Sequence, residues 1–370
     1  MPIARVEAFH VDWGRARSAW VRVWDADGRS GLGEASPMGG GNAALEIVSG
    51  LFAPAVVGAD PCDQAVLQDR LFHQHAKVGP DGAFAAALAA LDIALWDLKG
   101  KILERPVFQL LGGAWRTELP FYASVGGNAG RSPEEVCRAV ERWLPLGPTL
   151  VKVRLDADRT RRDADIDGDI ARIRAVRGLL GPGLPLAFDA NNNYSVQGAI
   201  RVGRILEELG CAWFEEPVQH YHPESFEKVA RALDIPVAAG EQEYTLQGFQ
   251  RLADAGVAIL QPDIVKTGGF TGLGHVAALA RTFGVDLVPH QTQPAVGHTA
   301  NLHFVASLLH GHHPCEWNDP SGAQNAVFRW PVRPEHGRFT LAPDRPGLGL
   351  EIAEEQLARR ARPWGGAGTA

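Results

Sequence analysis

Cysteine is scarce: four in 370 residues. Cys62, Cys137, Cys211 and Cys315 also stand too far apart for any metal-ligand spacing. This excludes a disulfide-stapled scaffold and leaves four reduced thiols of a protein expected to be cytoplasmic. Basic charge is short as well. Lys and Arg number 36 against 43 Asp and Glu, a formal net charge of −7, so no broad cationic surface is available and nucleic acid is not an expected partner. Long apolar runs are missing. The most apolar stretch, Ala83–Leu98, is broken by Asp92 and Asp97, which argues against a membrane span. Met1–Val11 alternates polar and apolar residues and has no basic region followed by an apolar core, unlike a secretory signal. No membrane partner is expected.

Several chemistries are excluded by missing motifs. No Gly-x-Ser-x-Gly elbow is present. Gly268, Gly269, Gly272 and Gly274 enter a helix without the strand-turn-helix dinucleotide fingerprint. No two histidines have zinc-motif spacing; His298 and His303 fall near or on a helix and read as core or surface residues. No sequence repeat of 20 to 50 residues is visible.

The residues that are present fall into three textures. In 1–120, strands (Ile3–Val11, Ser18–Trp24, Ser30–Glu34) precede helices, ending with an amphipathic helix over Ala83–Gly100, as in an α+β domain. In 121–321, short apolar runs alternate with amphipathic helices through eight strands and seven helices. That rhythm predicts a parallel barrel. In 322–370 the rhythm breaks, and this tail is expected to return to the first domain, with Gly365–Ala370 frayed.

The chemistry is concentrated where the apolar runs end. Leu184–Phe188 stops at Asp189, Ala212–Phe214 at Glu215, and Ile235–Gly240 at Glu241. The spacing is 26 residues in both cases, which suits one strand, one helix and two loops. Three carboxylates presented by three successive strands form a hard-cation site, and oxygen-only ligands favour Mg²⁺ or Mn²⁺. On the second barrel strand Lys152 and Arg154 are two residues apart and both face inward. Asp263, His290 and Glu316 complete the series of polar strand ends. Alternation turns Glu216 away from Glu215. Arg15 and Arg17 sit in the Asp12–Arg17 loop, where a solvated hairpin tip is the plain reading.

The run Asp189-Ala-Asn191, Trp213-Phe-Glu-Glu-Pro217, Gly240-Glu241, Gln261-Pro-Asp263, Lys266-Thr-Gly-Gly269, His290 and Glu316 resembles the enolase superfamily, specifically its mandelate racemase subgroup. In the first domain, Leu91-Asp-Ile-Ala-Leu-Trp-Asp-Leu-Lys-Gly-Lys101 and Leu110-Leu-Gly-Gly113 extend the likeness. The resemblance implies a modified TIM barrel, (β/α)7β, with an α+β N-terminal capping domain completed by the C-terminal tail. It also implies one Mg²⁺ on Asp189, Glu215 and Glu241, a His290–Asp263 acid/base dyad, and Glu316 hydrogen-bonding a substrate carboxylate. A small-molecule sugar acid as partner and a homo-oligomeric assembly are expected with it.

One departure directs the reading of function. Relatives that work on both faces of their substrate carry Lys-x-Lys on the second strand. Here the motif is Lys152-Val-Arg154, and arginine clamps anions but does not take protons. One well-placed base remains, and Arg15, Asn191, Gln242 and Gln291 are available for hydroxyls. The expected activity is dehydration of an aldonate or aldarate to a 2-keto-3-deoxy acid through a metal-stabilised enediolate. A racemase, epimerase or lactone cycloisomerase using Lys152 as second base is the alternative, and a non-catalytic sugar-acid binder the remote one.

Overall fold

The structure is a computed structural model and describes residues 2–368 except Arg15, Pro294, His310 and Pro320. Alternating apolar residues make the N-terminal strands half-buried ribbons. β1 (Ile3–Asp12), β2 (Arg17–Asp25) and β3 (Ser30–Ala35) form an antiparallel sheet. The helix Ala83–Ile102 lies across this sheet so closely that only glycine fits beneath it. A Cβ at Gly31 or Gly33 would lie 2.0 or 1.9 Å from the carbonyl oxygens of Ala94 and Ala90.

The barrel strands follow: β4 (Glu118–Val125), β5 (Leu150–Arg154), β6 (Leu186–Asp189), β7 (Phe214–Glu215), β8 (Val237–Ala239), β9 (Ile259–Leu260), β10 (Asp286–Leu287) and β11 (Cys315–Trp317). All pair in parallel, in the order β10-β9-β8-β7-β6-β5-β4-β11. Seven longer helices connect them, starting at Pro133, Ile166, Val196, Pro223, Leu246, Gly269 and Val296. The architecture is the modified (β/α)7β barrel. Among the described residues, β10 and β11 share no backbone ladder. Side chains cross that seam: the Gln291 backbone N–H donates to Glu316, and His313 meets Asp286. Inside the barrel Tyr122, Leu150, Ala187, Trp213, Ala238, Ile259 and Val288 form a buried apolar layer, the filling that such a barrel needs.

Two more strands return along the tail. β12 (Arg338–Thr340) runs antiparallel to β4, and β13 (Ala361–Gly368) to β1. The expectation of a frayed end is therefore corrected through Gly368: Gly365, Gly366, Ala367 and Gly368 pair with Ala8, Glu7, Val6 and Arg5. A glycine-rich run carries no side-chain pattern to read, but the free edge of β1 supplies backbone partners that need none. Two barrel helices start at Gly269 and Val296, where glycines and polar residues occupy the first turns and leave no apolar pattern.

The aspartates that interrupt the apolar helix are docking points. Asp92 accepts from the Thr271 N–H and hydroxyl, tying the cap to a barrel helix. Asp97 accepts from the backbone of Leu32 and Leu348 and pairs with Lys101. No helix of the described residues is long and apolar enough to cross a membrane. Glu34 makes a second cap–barrel link by accepting the Gly297 N–H at 2.9 Å.

Burial raises the Glu34 carboxyl from 4.5 to about 7 and that of Asp92 from 3.8 to about 7. Both folded values lie above the unfolded ones, so the native state holds protons that the unfolded chain has released. Their contribution is complete below about pH 4 and lost as pH rises through about 7. For Glu34 the full shift corresponds to something on the order of 3 kcal/mol. Glu34→Gln is expected to keep the acceptor and flatten the fall in melting temperature between acid and neutral pH. Parallel melting curves for wild type and variant across that window would refute the assignment.

Candidate active site

Strands β5 to β11 each deliver a polar side chain to one rim, at or just past their carboxyl ends. At the end of β6, Asp189 is fully buried and accepts the Asn191 backbone N–H at 2.8 Å and its amide N–H at 3.1 Å. At the end of β7, Glu215 accepts from Trp213 Nε1 at 2.9 Å and Gln261 Nε2 at 2.7 Å. Just past β8, Glu241 accepts from Gln242 Nε2 at 2.7 Å. One oxygen from each of Asp189, Glu215 and Glu241 lies within 4.8 Å of the other two.

Three buried carboxylates at that separation repel one another and have lost their water. Burial first, then the Glu215 charge, raises Asp189 well above its ordinary range. Such a group needs compensating cations. Lys152 supplies one. It is fully buried, 2.5 Å from Glu215, 2.9 Å from Glu316 and 3.9 Å from Asp189. Lys152 is one ammonium shared among three carboxylates, and the oxygen-only donor set of Asp189, Glu215 and Glu241 fits a hard divalent cation.

The opposite wall is built on β10 and β11. His290 Nδ1 lies 2.8 Å from Asp263 Oδ2, and Nε2 lies 2.8 Å from Glu241. Asp263 is fixed in turn by the Val265 N–H at 3.0 Å. Burial alone would lower the imidazole, but the charges of Glu241 and Glu316 and the bonds to Asp263 and Glu241 outweigh it and hold it at about 10. Glu316 accepts the Gln291 N–H at 3.0 Å. Burial would raise its carboxyl, yet Lys152 and His290 bring it down to about 2, so Glu316 is an anion here.

The two inward cations differ. Burial opposes the charge on Lys152, but Glu215 and Glu316 raise it well above its ordinary value. A lysine so pinned is a poor base. Arg154 sits beside Asp189 in register and pairs with Asp156 at 2.8 Å. Asp156 is itself anchored by the Gly127 N–H and donates its own N–H to Asn191. Both ends of the Asn191 amide are thus engaged in positioning neighbours. Among the described residues, Gln291 Nε2 is buried and has no hydrogen-bond partner. Arg15 lies outside the described residues.

Glu216 does not join the metal-spaced carboxylates, and its position is set by more than strand alternation. β7 ends at Glu215, and Glu216 has φ 40°, so the two-residue period no longer applies. Its carboxyl is buried, accepts from the Asn192 amide, and is raised well above its ordinary range by burial and then by the Glu241 charge. Trp213, Gln261, Asn192 and Lys266 join the site through contacts that polar strand ends do not mark. Trp213 directly precedes β7, two residues before Glu215, and that spacing is a usable signal. Lys266 donates to the Glu241 carbonyl at 2.9 Å, a backbone contact with no sequence signature. His303 is a buried ring bonded to the Phe108 N–H, and burial lowers both His303 and His298 to about 4.

Comparison with known proteins supplies independent context. Residues 8–112 match the mandelate racemase/muconate lactonizing enzyme N-terminal domain, and residues 135–356 match the enolase C-terminal domain-like family. A mandelate racemase/muconate lactonizing protein from Paracoccus denitrificans, crystallised with magnesium, shares 55% identity at a TM-score of 0.96, with 98% of this chain and 99% of that chain covered. D-galactarolactone cycloisomerase from Agrobacterium fabrum is 32% identical over 96% of this chain and 94% of its own length. D-galactonate dehydratase from Variovorax paradoxus is 30% identical over 98% and 95%.

Proposed function

The chain belongs to the mandelate racemase/muconate lactonizing enzyme family of the enolase superfamily, and from that premise we propose that it is a Mg²⁺-dependent dehydratase of a sugar acid, an aldonate or aldarate. The observation that carries this reading is one relayed base facing a three-carboxylate cluster, with the lysine across from it locked as a cation. Asp189, Glu215 and Glu241 would hold the ion, and Mn²⁺ suits the same oxygens. A divalent ion held there would supply charge against the negative charge that develops on the substrate oxygens, and would cancel carboxylate charge that favours protonated His290.

The protein residues do the rest. Asp263 orients the imidazole through Nδ1, which leaves Nε2 to take the proton α to the substrate carboxylate. The electron pair then expels the β-hydroxyl, which departs as water with the proton held on His290. The enol left behind ketonises to a 2-keto-3-deoxy acid. Arg154 offers a planar, always-charged clamp for an anionic or hydroxylated substrate. Glu316 hydrogen-bonds the substrate carboxylate once the arrival of that second anion raises its own proton affinity. Gln291 Nε2 and Gln242 are polar contacts for hydroxyls.

The likeness to a cycloisomerase supports a second reading, in which the same base opens or moves a lactone. A library of aldonates, aldarates and their lactones separates the two. The proposal expects a 2-keto acid, detected with semicarbazide, from at least one open-chain acid. Turnover of lactones alone, with no keto acid formed, would replace it by the cycloisomerase reading.

A further inference from the structure

A second cluster of metal-ligating side chains lies at the other end of the barrel. Asp286 opens β10, four residues before the His290 of the rim. His312 and His313 immediately precede β11, whose Glu316 also reaches the rim. The cluster therefore sits at the amino-terminal mouth, beneath the apolar layer that includes Trp213 and Val288. His313 Nε2 is 3.0 Å from Asp286 Oδ2, and the two imidazole rings are 4.2 Å apart with planes inclined at 36°. One ligand atom from each of Asp286, His312 and His313 lies within 4.8 Å of the others. Among the described residues this group and the rim carboxylates are the only sets with that geometry.

We propose that Asp286, His312 and His313 bind a borderline divalent transition ion of the Zn²⁺ class, forming a clip across the β10–β11 seam. The chemistry separates the two sites. Two imidazoles and one carboxylate favour Zn²⁺, Ni²⁺ or Cu²⁺ over Mg²⁺, and three protein ligands leave a fourth position for water. The location gives the ion a function, because it joins two strands that share no backbone ladder among the described residues. The spacing in sequence conceals the site, since Asp286 comes from a different strand. The cluster is also linked to the rim. The His313 ring stands edge-on to Trp213 at 6.4 Å, and Trp213 donates to Glu215.

The test is equilibrium dialysis against Zn²⁺ with excess Mg²⁺ present, followed by metal analysis and melting curves. The wild-type protein is expected to take up about one zinc per chain and to melt higher, since an ion that binds only the native state stabilises it. The double variant His312→Ala/His313→Ala should lose both effects, while Glu215→Gln should retain them. Should the double variant fail to fold, Asp286→Asn and His313→Ala should each weaken zinc binding by about tenfold or more. No uptake by the wild type would overturn the proposal. So would zinc retained by the double variant, or binding that depends on His312 and is indifferent to Asp286 and His313, which would mark an exposed imidazole acting alone.

Discussion

Glu215→Gln is expected to abolish turnover, by about 10³-fold or more, and to weaken Mg²⁺ binding measured by calorimetry. The magnitude follows from the several kcal/mol of transition-state charge stabilisation that a metal ion provides, at about 1.4 kcal/mol per factor of ten. The substitution is nearly isosteric. A glutamine oxygen can still accept from Trp213 or Gln261, so what disappears is one negative charge at the centre of the cluster. Lys152 then loses its nearest counter-ion but keeps Glu316 at 2.9 Å. Relief of repulsion with Asp189 and Glu241 offsets part of that loss, so the variant should fold, with an unchanged circular dichroism spectrum. Glu216→Gln provides the contrast. Glu216 lies outside the metal-spaced group, and burial already disfavours the charged form of its carboxyl, so a neutral amide changes less there. A milder loss is expected there. Full activity of Glu215→Gln, or activity of the wild type in excess chelator, would sink the metal assignment.

The parts of this molecule legible in its sequence are those fixed by short-range rules. The 26-residue spacing of Asp189, Glu215 and Glu241 follows from one strand and one helix per unit, and side-chain alternation placed Lys152 and Arg154 on one face. Three things were not legible, each for a physical reason. The strand pairing of Gly365–Gly368 depends on backbone groups of β1 and leaves no pattern in the side chains. The contact of Glu216 with the Asn192 amide depends on a positive φ where the strand stops. The state of Lys152 depends on three carboxylates brought from three other strands, Asp189, Glu215 and Glu316. Its neighbours in sequence say only that it faces inward. Its neighbours in space make it a counter-ion, and that weakens the two-base alternative on grounds the motif alone could not supply.

His290→Asn tests the one-base reading directly. Asparagine keeps a polar group of similar reach beside Asp263 and Glu241 but cannot take a proton at any working pH. Loss of a positioned general base costs about 10²- to 10⁴-fold. If His290 is the only base, exchange of the substrate α-proton with solvent deuterium must fall by the same factor as keto-acid formation. The lysine across the site makes the alternative specific. For Lys152 to act as base it must shed a proton that Glu215 at 2.5 Å and Glu316 at 2.9 Å both stabilise. Any exchange left in His290→Asn through Lys152 should therefore climb with pH, following the small deprotonated fraction. Asp263→Asn should show a partial version of the His290 defect, because Nδ1 loses the anion that sets its tautomer. Lys266, 3.7 Å from Asp263, pairs with the same carboxylate and loses part of its compensation in that variant. The decisive result is a split. Exchange that persists in His290→Asn while product formation stops would make His290 the acid that expels the hydroxyl. The base would then stand on the other face, and an epimerase or racemase would become the better description of the site.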